Sequence, residues 1–468
     1  MVAAVGATKG LGLLGTLRLG LFQGCLGCLA VIFAGMLNRV MLSELGFPGL
    51  LVGGVLACEQ FVAPARVWFG QMSDAHPLAG RHRVPYIWLG ALLFCGLAVL
   101  SIPLIFHVAA LLQLGNRLAL LGGIAALCGL FACYGLAISL ASTPYLALVI
   151  DRTTEQERPR AVGLIWCLLT VGIVVGAIAI TVSLRQLDGV RDPLVLRAAL
   201  LGFMGRVVLL VLLLTAVATV GMESRTAAPT TRSAGEDGIT LRQAWALITS
   251  SRQVFVFFGF LVLFTLGLFL QDPILESYGA DVFGMAIAAT ASLNALWGVG
   301  TLVGLLLAGV WIVPRLGKLP TARLGCQLII ASLVLLLLAG VVRQVAALQM
   351  VMLLFGLAAG IGTNSALVLM LDLTLPQAAG TFVGVWGLAQ ALSRALGKVV
   401  GGGLLDLGRA LQGWASLGDS PLFAYGLVLG VEILVAYGAL LLLSRLNLRQ
   451  FREDTGRSLT KVLALELG

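Results

Sequence analysis

The sequence predicts an all-α integral membrane protein in which twelve transmembrane helices form two related six-helix halves. Three observations carry this. Of 468 residues, 59% are hydrophobic and 11% charged, with a mean hydropathy of +1.04, far more apolar than a soluble domain. Stretches long enough to cross a bilayer, about 20 mainly apolar residues each, recur twelve times. Finally, the chain resembles itself at an offset close to half its length.

The apolar stretches run over 19–41, 47–69, 85–108, 118–149, 160–183, 196–221, 253–271, 285–312, 320–342, 346–371, 380–405 and 421–444. The first closes on LNRVM with Asn38 and Arg39. The second carries Glu59 and Gln60, with Arg66 seven residues after Glu59, which on an uninterrupted helix is two turns along the same face. The third opens at Pro85, a residue suited to a helix start. Arg206 lies in the sixth stretch, Asn294 in the eighth and Glu432 in the twelfth. Gln390, Arg394 and Lys398 follow i, i+4, i+8 spacing in the eleventh. Spacings such as Gly172/Gly176, Gly300/Gly304 and Gly397/Gly401 permit close helix approach.

Shifting the chain by 221 residues lays 135–163 over 356–384 with ten of 29 positions identical, among them Asp151/Asp372, Thr153/Thr374 and Gln156/Gln377. Such an offset predicts a parallel repeat of six-helix bundles: an N-terminal bundle over 1–222, a linker over 223–252 and a C-terminal bundle with its tail over 253–468. Glu223 to Gly238 is polar and contains Pro229, as expected of a cytoplasmic connection. Beyond it Leu241, Ala244, Trp245 and Ile248 form a helical stripe, suited to a short helix on the membrane surface.

The net charge of +9 raises the question of nucleic acid, yet the basic residues form no patch interleaved with aromatics. Most of the 30 Lys and Arg fall instead at the termini, in the even-numbered loops and in the linker, which places both termini in the cytoplasm. All eight cysteines lie in apolar stretches, so no disulfide framework is expected. Cys25 and Cys28 have redox-motif spacing but an apolar setting that favours packing. No cleavable leader pattern precedes the first stretch.

Polar groups within spans are expensive and each one is a functional candidate. Glu59 reads as a proton carrier or a ligand, or alternatively as an acid neutralised by Arg66. Glu432 reads as a proton carrier or as a protonated structural acid. Arg394 and Lys398 suit snorkelling or backbone contacts better than substrate binding. Between the second and third stretches, Gly70–Gly90 reads GQMSDAHPLAGRHRVPYIWLG and holds Asp74, Arg81 and Arg83. Here Asp74 is positioned to meet the start of the eleventh helix near Gly380 and close the cytoplasmic side, with Arg81 and Arg83 meeting carboxylates or lipid phosphates. The second half keeps only VWIVPRLGK after Gly309, without the acid.

This loop resembles the connection between helices 2 and 3 of the major facilitator superfamily. Its wording, together with LNRVMLSELGFP (37–48), APARVWFGQMSD (63–74), QDPILESYGADVFGM (271–285) and ALWGVGTLVG (295–304), is similar to the PucC-like, or bacteriochlorophyll delivery, branch. The resemblance covers both halves and marks Asn38, Arg39, Gln271, Asp272, Glu276 and Tyr278 as motif residues. It departs at Ser277, where proline is expected, and does not extend to the linker or the tail.

The resemblance implies a non-enzymatic membrane assembly factor that handles chlorophyll or bacteriochlorophyll for light-harvesting or photosystem antenna complexes, or supports their assembly. No tightly bound cofactor is expected, only pigment held transiently. The implied partners are membrane lipids, antenna or photosystem polypeptides and pigment-synthesis enzymes, with no nucleic acid. The location is the cytoplasmic or photosynthetic membrane, multi-pass. A pigment magnesium accepts a nitrogen or oxygen ligand. His76 and His82 lie in the loop and His107 near a span end, so Glu59, Gln60, Asn294 and Gln390 are the oxygen candidates. The alternative is a proton-coupled major facilitator transporter of a small solute, and a third reading is a scaffold that needs no ligand. Outside the spans there is no nucleophile–base set, phosphate loop or metal-ligand spacing, which argues against a soluble enzyme.

Overall fold

The computed structural model describes residues 11–153, 158–185, 192–223, 252–373, 379–415 and 420–447. Among them the chain is helical, and a single isolated bridge joins Leu78 to Arg81. The helices are α1 (Gly12–Glu44), α2 (Gly49–Phe61), α3 (Ala65–Ala75), α4 (Val84–Leu114), α5 (Arg117–Arg152), α6 (Arg158–Leu184), α7 (Pro193–Thr219), α8 (Arg252–Phe269), α9 (Leu275–Phe283), α10 (Ile287–Leu316), α11 (Lys318–Val342), α12 (Val345–Leu373), α13 (Ala379–Ala415) and α14 (Leu422–Ser444). Nine helices among the described residues are long and apolar enough to cross a membrane, and Gly49–Phe61 and Phe255–Phe269 are shorter apolar helices. With α13, helix is present in every one of the twelve apolar stretches.

Helix ends follow local chemistry. Asn116 starts α5 by accepting from the Ala119 amide, and Asp192 starts α7 by accepting from Leu194 N, with Pro193 at its first position. Gly115 and Gly284 end α4 and α9 in the left-handed conformation, which glycine adopts without Cβ strain. Within α1 the ladder widens to π-helical turns at Ile32–Leu37 and Val40–Glu44, on either side of Asn38 and Arg39. Such turns carry an extra residue and re-aim side chains, often at functional sites.

The chain packs as two compact units, one built from residues 1–33 and 62–234 and the other from 34–61 and 235–468. In the first, α1 lies against α6 at a backbone crossing: a Cβ at Gly172 would overlap the Gly24 carbonyl, and one at Gly27 would overlap that of Leu169. Close approach of this kind replaces the hydrophobic drive that lipid cannot supply. Tyr145 Oη donates to Leu19 O at 3.0 Å while its ring meets Phe22, and Phe33 stacks on Tyr134 with centroids 4.1 Å apart. Arg18 donates to the carbonyls of Val217 and Val220 at the end of α7.

In the second unit, α10 and α12 meet through Gly300, Gly304, Gly356 and Gly360, each without room for a Cβ. Helix α2 meets α13 in the same manner, Gly49 against Gly402 and Gly53 against the Lys398 carbonyl. Asp406 of α13 accepts from Gly49 N at 2.6 Å and Leu50 N at 2.7 Å. Its carboxylate satisfies two of the amides left open at the start of α2 and complements the positive end of that helix.

Candidate functional site

A buried polar cluster in the second unit brings together two of the motif segments, 37–48 and 271–285. Asn38 is fully enclosed, and its Nδ2 donates to Pro273 O at 2.6 Å. Arg39, also buried, donates through Nη1 to Thr290 Oγ1 and through Nη2 to Met285 O, both at 2.8 Å, and pairs with Glu44 at 3.4 Å. The wide turns of α1 set these two consecutive residues where both reach acceptors near α9. Opposite them stands Glu276, 2% exposed, whose Oε1 accepts from Asn294 Nδ2 at 2.5 Å. A Cβ at Gly35 would overlap the Glu276 carboxylate, so glycine there lets the acid sit directly on the α1 backbone.

Arg39 and Glu276 lie within electrostatic reach of one another, although the guanidinium directs its hydrogen bonds elsewhere. The two are therefore charge-complementary without a closed ion pair between them, Arg39 pairing instead with Glu44, an expensive arrangement away from water. Asn38 Oδ1, Arg39 Nε, Gln271 Oε1, Glu276 Oε2 and Glu432 Oε2 are buried and make no hydrogen bond among the described residues. Four of these five are acceptors.

The surrounding shell is polar on one side and aromatic on the other. Gln271 donates to Leu268 O at 3.2 Å, and its backbone amide donates to Glu432 of α14 at 3.4 Å. Asp272 is half-buried and feels Lys398 and Arg394 of α13. The Arg394 guanidinium covers the Phe269 ring at 4.3 Å, a cation–π contact. Tyr278 donates to Leu336 O at 2.9 Å and packs on Phe283 and Tyr425. Tyr425 Oη donates to Asp281 at 2.6 Å, with Arg409 3.4 Å from the same oxygen. Helix α9 is thereby fixed at both ends.

The loop motif builds a second polar centre in the first unit. Arg83 is buried and donates to Asp151 Oδ2 at 3.1 Å and to Ser73 Oγ at 2.7 Å. Glu223 accepts from the amides of His82 (2.6 Å), Arg83 (3.0 Å) and Val84 (2.8 Å). A carboxylate from the far end of the half thus occupies the N-terminus of α4, where the peptide dipoles favour negative charge. Tyr86 Oη donates to His76 O at 2.7 Å. Arg81 is half-buried, its Nε without a partner among the described residues, and its backbone closes the loop on Leu78.

The structure brings Asn38, Arg39, Asp272, Glu276 and Asn294 into one neighbourhood. Tyr278 and Gln271 flank it, and Gln390 lies half-buried on α13. The reading of Glu59 and Arg66 on one face of a continuous helix is corrected: α2 ends at Phe61, a turn covers 62–64 and α3 begins at Ala65. Pro64 explains the break, since it lacks an amide hydrogen and its ring clashes with a preceding helical turn. The two residues also belong to different units. Glu59 and Gln60 are half-buried and Arg66 is exposed. Asp74 sits in α3, Asp372 in α12 and Gly380 in α13, but the surroundings of these three positions, like the linker after Glu223, the surface helix near Trp245 and the C-terminal tail, lie outside what is described.

Sequence reasoning named Glu276 only as a motif residue and left 272–284 between spans. The signal available was its polarity beside an apolar run. Nothing local showed that this nine-residue helix is enclosed by helices distant in sequence. Glu223 and Asp406 were missed because a helix-capping carboxylate 141 or 357 residues away leaves no spacing to read.

These features define a multi-pass membrane protein with the major facilitator fold. The solved nucleoside transporter NupG superposes with a TM-score of 0.65 over 92% of this chain and 98% of that one, at 14% identity. Within that class the sequence profile described as PUCC protein matches residues 36–451, and the chain belongs to the PucC family. It is 31% identical to an uncharacterized protein in the puhA-bchM intergenic region of Rhodobacter capsulatus, covering 89% of this chain and 86% of that protein. It is 28% identical to Protein PucC of Rhodovulum sulfidophilum, covering 89% and 90%. A third relative, named bacteriochlorophyll synthase 44.5 kDa chain, from Rhodobacter capsulatus, is 31% identical, covering 91% and 93%.

Proposed function

We propose that this protein is a membrane assembly factor that handles chlorophyll or bacteriochlorophyll for light-harvesting or photosystem antenna complexes, or supports their assembly. Membership of the PucC family over 36–451 is the observation that carries this reading, and a relative named for bacteriochlorophyll supports it. The word synthase in that name has no counterpart in a nucleophile–base set in this sequence, and the chain is read as non-catalytic. Its partners are antenna or photosystem polypeptides and pigment-synthesis enzymes, with both termini in the cytoplasm. The ancestral bodies of the repeat are 1–222 and 253–468, joined by 223–252.

Pigment is held transiently through an oxygen ligand to its magnesium. Asn294 fits this role in one respect: its amide nitrogen is committed to Glu276, which orients the carbonyl oxygen. Glu59, Gln60 and Gln390 are half-buried and supply further oxygens. Such neutral or shared ligands give exchangeable binding, suited to handover.

The test is gentle purification from the native photosynthetic membrane, with an absorption spectrum and identification of co-purifying proteins. Substoichiometric pigment, reduced in a folded Glu59→Ala/Gln60→Ala variant, and loss of antenna complexes on deletion are the expected results. Pigment-free protein, with deletion affecting only uptake of a solute, would replace this reading with proton-coupled transport. Antenna loss without bound pigment would leave a scaffold.

A further inference from the structure

Among the described residues, the unpartnered buried atoms around α9 include four acceptors, beside Arg39 Nε and the Ser277 hydroxyl. Asn38 Oδ1, Gln271 Oε1, Glu276 Oε2 and Glu432 Oε2 are all enclosed and unsatisfied among the described residues. Leaving such an atom without a partner costs about 1–3 kcal/mol, more for a charged group. A proton on a carboxylate converts an acceptor into a donor and needs no cavity to enter.

Glu276 and Glu432 differ in how a proton could reach them. Glu432 is fully enclosed, and its carboxylate is met by backbone amides, Gln271 N donating to Oε1. Glu276 adjoins groups that are half-exposed: Asn294 is its direct hydrogen-bond partner, and Asp272 lies one turn earlier in the chain. Both are less enclosed than Glu276 itself. Glu276 also touches the α1 segment, where Gly35 gives it room and Arg39 is its nearest basic influence.

We propose that Glu276 is a proton-exchange site whose charge state sets how firmly residues 35–44 are held against α9. The charged and titratable groups around it are consistent with this. Segment 35–44 brings Arg39 and Glu44. The chain around α9 brings Asp272, Tyr278 and Asp281. Helix α13 brings Arg394, Lys398 and Arg409, and α14 brings Tyr425 and Glu432. Helix α10 contributes only the neutral Asn294 and Thr290, and α11 meets α9 through Leu336 and Gly340. Ionised Glu276 offsets the buried Arg39 charge. When a proton from solvent adds to Glu276, Arg39 keeps its bonds to Thr290 and Met285 but loses that offset, with the partly exposed Glu44 and Asp281 remaining. The sign follows: low pH neutralises Glu276 and loosens the segment, and high pH tightens it.

The experiment uses the full chain in lipid nanodiscs. Infrared difference spectra from about pH 9 to about pH 5 should show a protonated-carboxyl stretch growing as pH falls, absent in Glu276→Gln and shifted in Glu276→Asp. Hydrogen exchange of peptides covering 37–47, corrected for intrinsic rates, should rise severalfold over the same range in the native protein. In Glu276→Gln it should be fast at every pH. No pH-dependent carboxyl band in the native protein, or one undiminished in a folded Glu276→Gln, overturns the site. Unchanged exchange in the native protein overturns the coupling to the segment. Should Glu276→Gln fail to fold, the native titration and the shift in Glu276→Asp decide the matter.

Discussion

Replacing Glu223 by alanine removes the carboxylate that closes the N-terminus of α4. Three consecutive amides, from His82, Arg83 and Val84, then lose their acceptor. Loss of an N-terminal cap typically costs about 0.5–2 kcal/mol, and a charged acceptor serving several amides belongs at the upper end, because bonds to ionised groups are roughly twice as strong as neutral ones. Water reaches Glu223, which is half-buried, so the cost stays near 2 kcal/mol rather than a multiple of it. An opening free energy lowered by 1–2 kcal/mol raises local exchange by about 5–30-fold. Hydrogen exchange of peptides covering 80–88 therefore should accelerate by about that factor, while peptides in the middle of α4 stay unchanged. Glu223→Gln, which keeps an acceptor, should fall between. Equal exchange in all three proteins would show that Glu223 does not hold the loop and that the reasoning from geometry to stability is wrong here.

Asp406→Ala should loosen the start of α2, accelerating exchange over 49–54 by roughly 3–30-fold, since a cap and a helix-end charge are lost together. Gly53→Ala should cost about 1–3 kcal/mol of thermal stability through overpacking, because the new Cβ meets the Lys398 carbonyl; an unchanged unfolding temperature would refute that close contact. Tyr278→Phe should cost about 0.5–1.5 kcal/mol, the worth of one neutral hydrogen bond, measured as a lower unfolding temperature with antenna assembly retained. Reporter fusions at Pro229 and at the C-terminus should both report cytoplasm, and an external signal from either would reverse the topology.

Helix positions were legible because hydropathy depends on runs of neighbouring residues, and Pro85 marks a start through chemistry confined to one turn. The repeat linking Asp151 to Asp372 was equally visible as a pattern. What the sequence left unread is long-range geometry. Arg83 was expected to meet a carboxylate, but Asp151 as its partner depends on α5 folding beside α3. Motif segments 37–48 and 271–285 were noticed separately, and only the fold places Asn38 and Arg39 beside Glu276. The break at Val62–Pro64 was hidden because apolar residues continue on both sides of it, so hydropathy overrode the proline.

That break and the widened turns of α1 bracket a stretch, 34–61, whose packing neighbours are made last. During synthesis it enters the bilayer more than 170 residues before the helices that complete its unit begin. Its Gly49 and Gly53 face and the open start of α2 must persist there unmatched until α13 arrives, while Arg39 has Glu44 of its own segment as a counter-charge before α9 follows. A chain that stalls near the linker therefore exposes a surface ready to bind the wrong neighbour, including another copy supplying its own α13. Biogenesis of this protein thus depends on timing between its two ends, and a chaperone or insertase that shelters this early hairpin would act before any partner of the finished molecule.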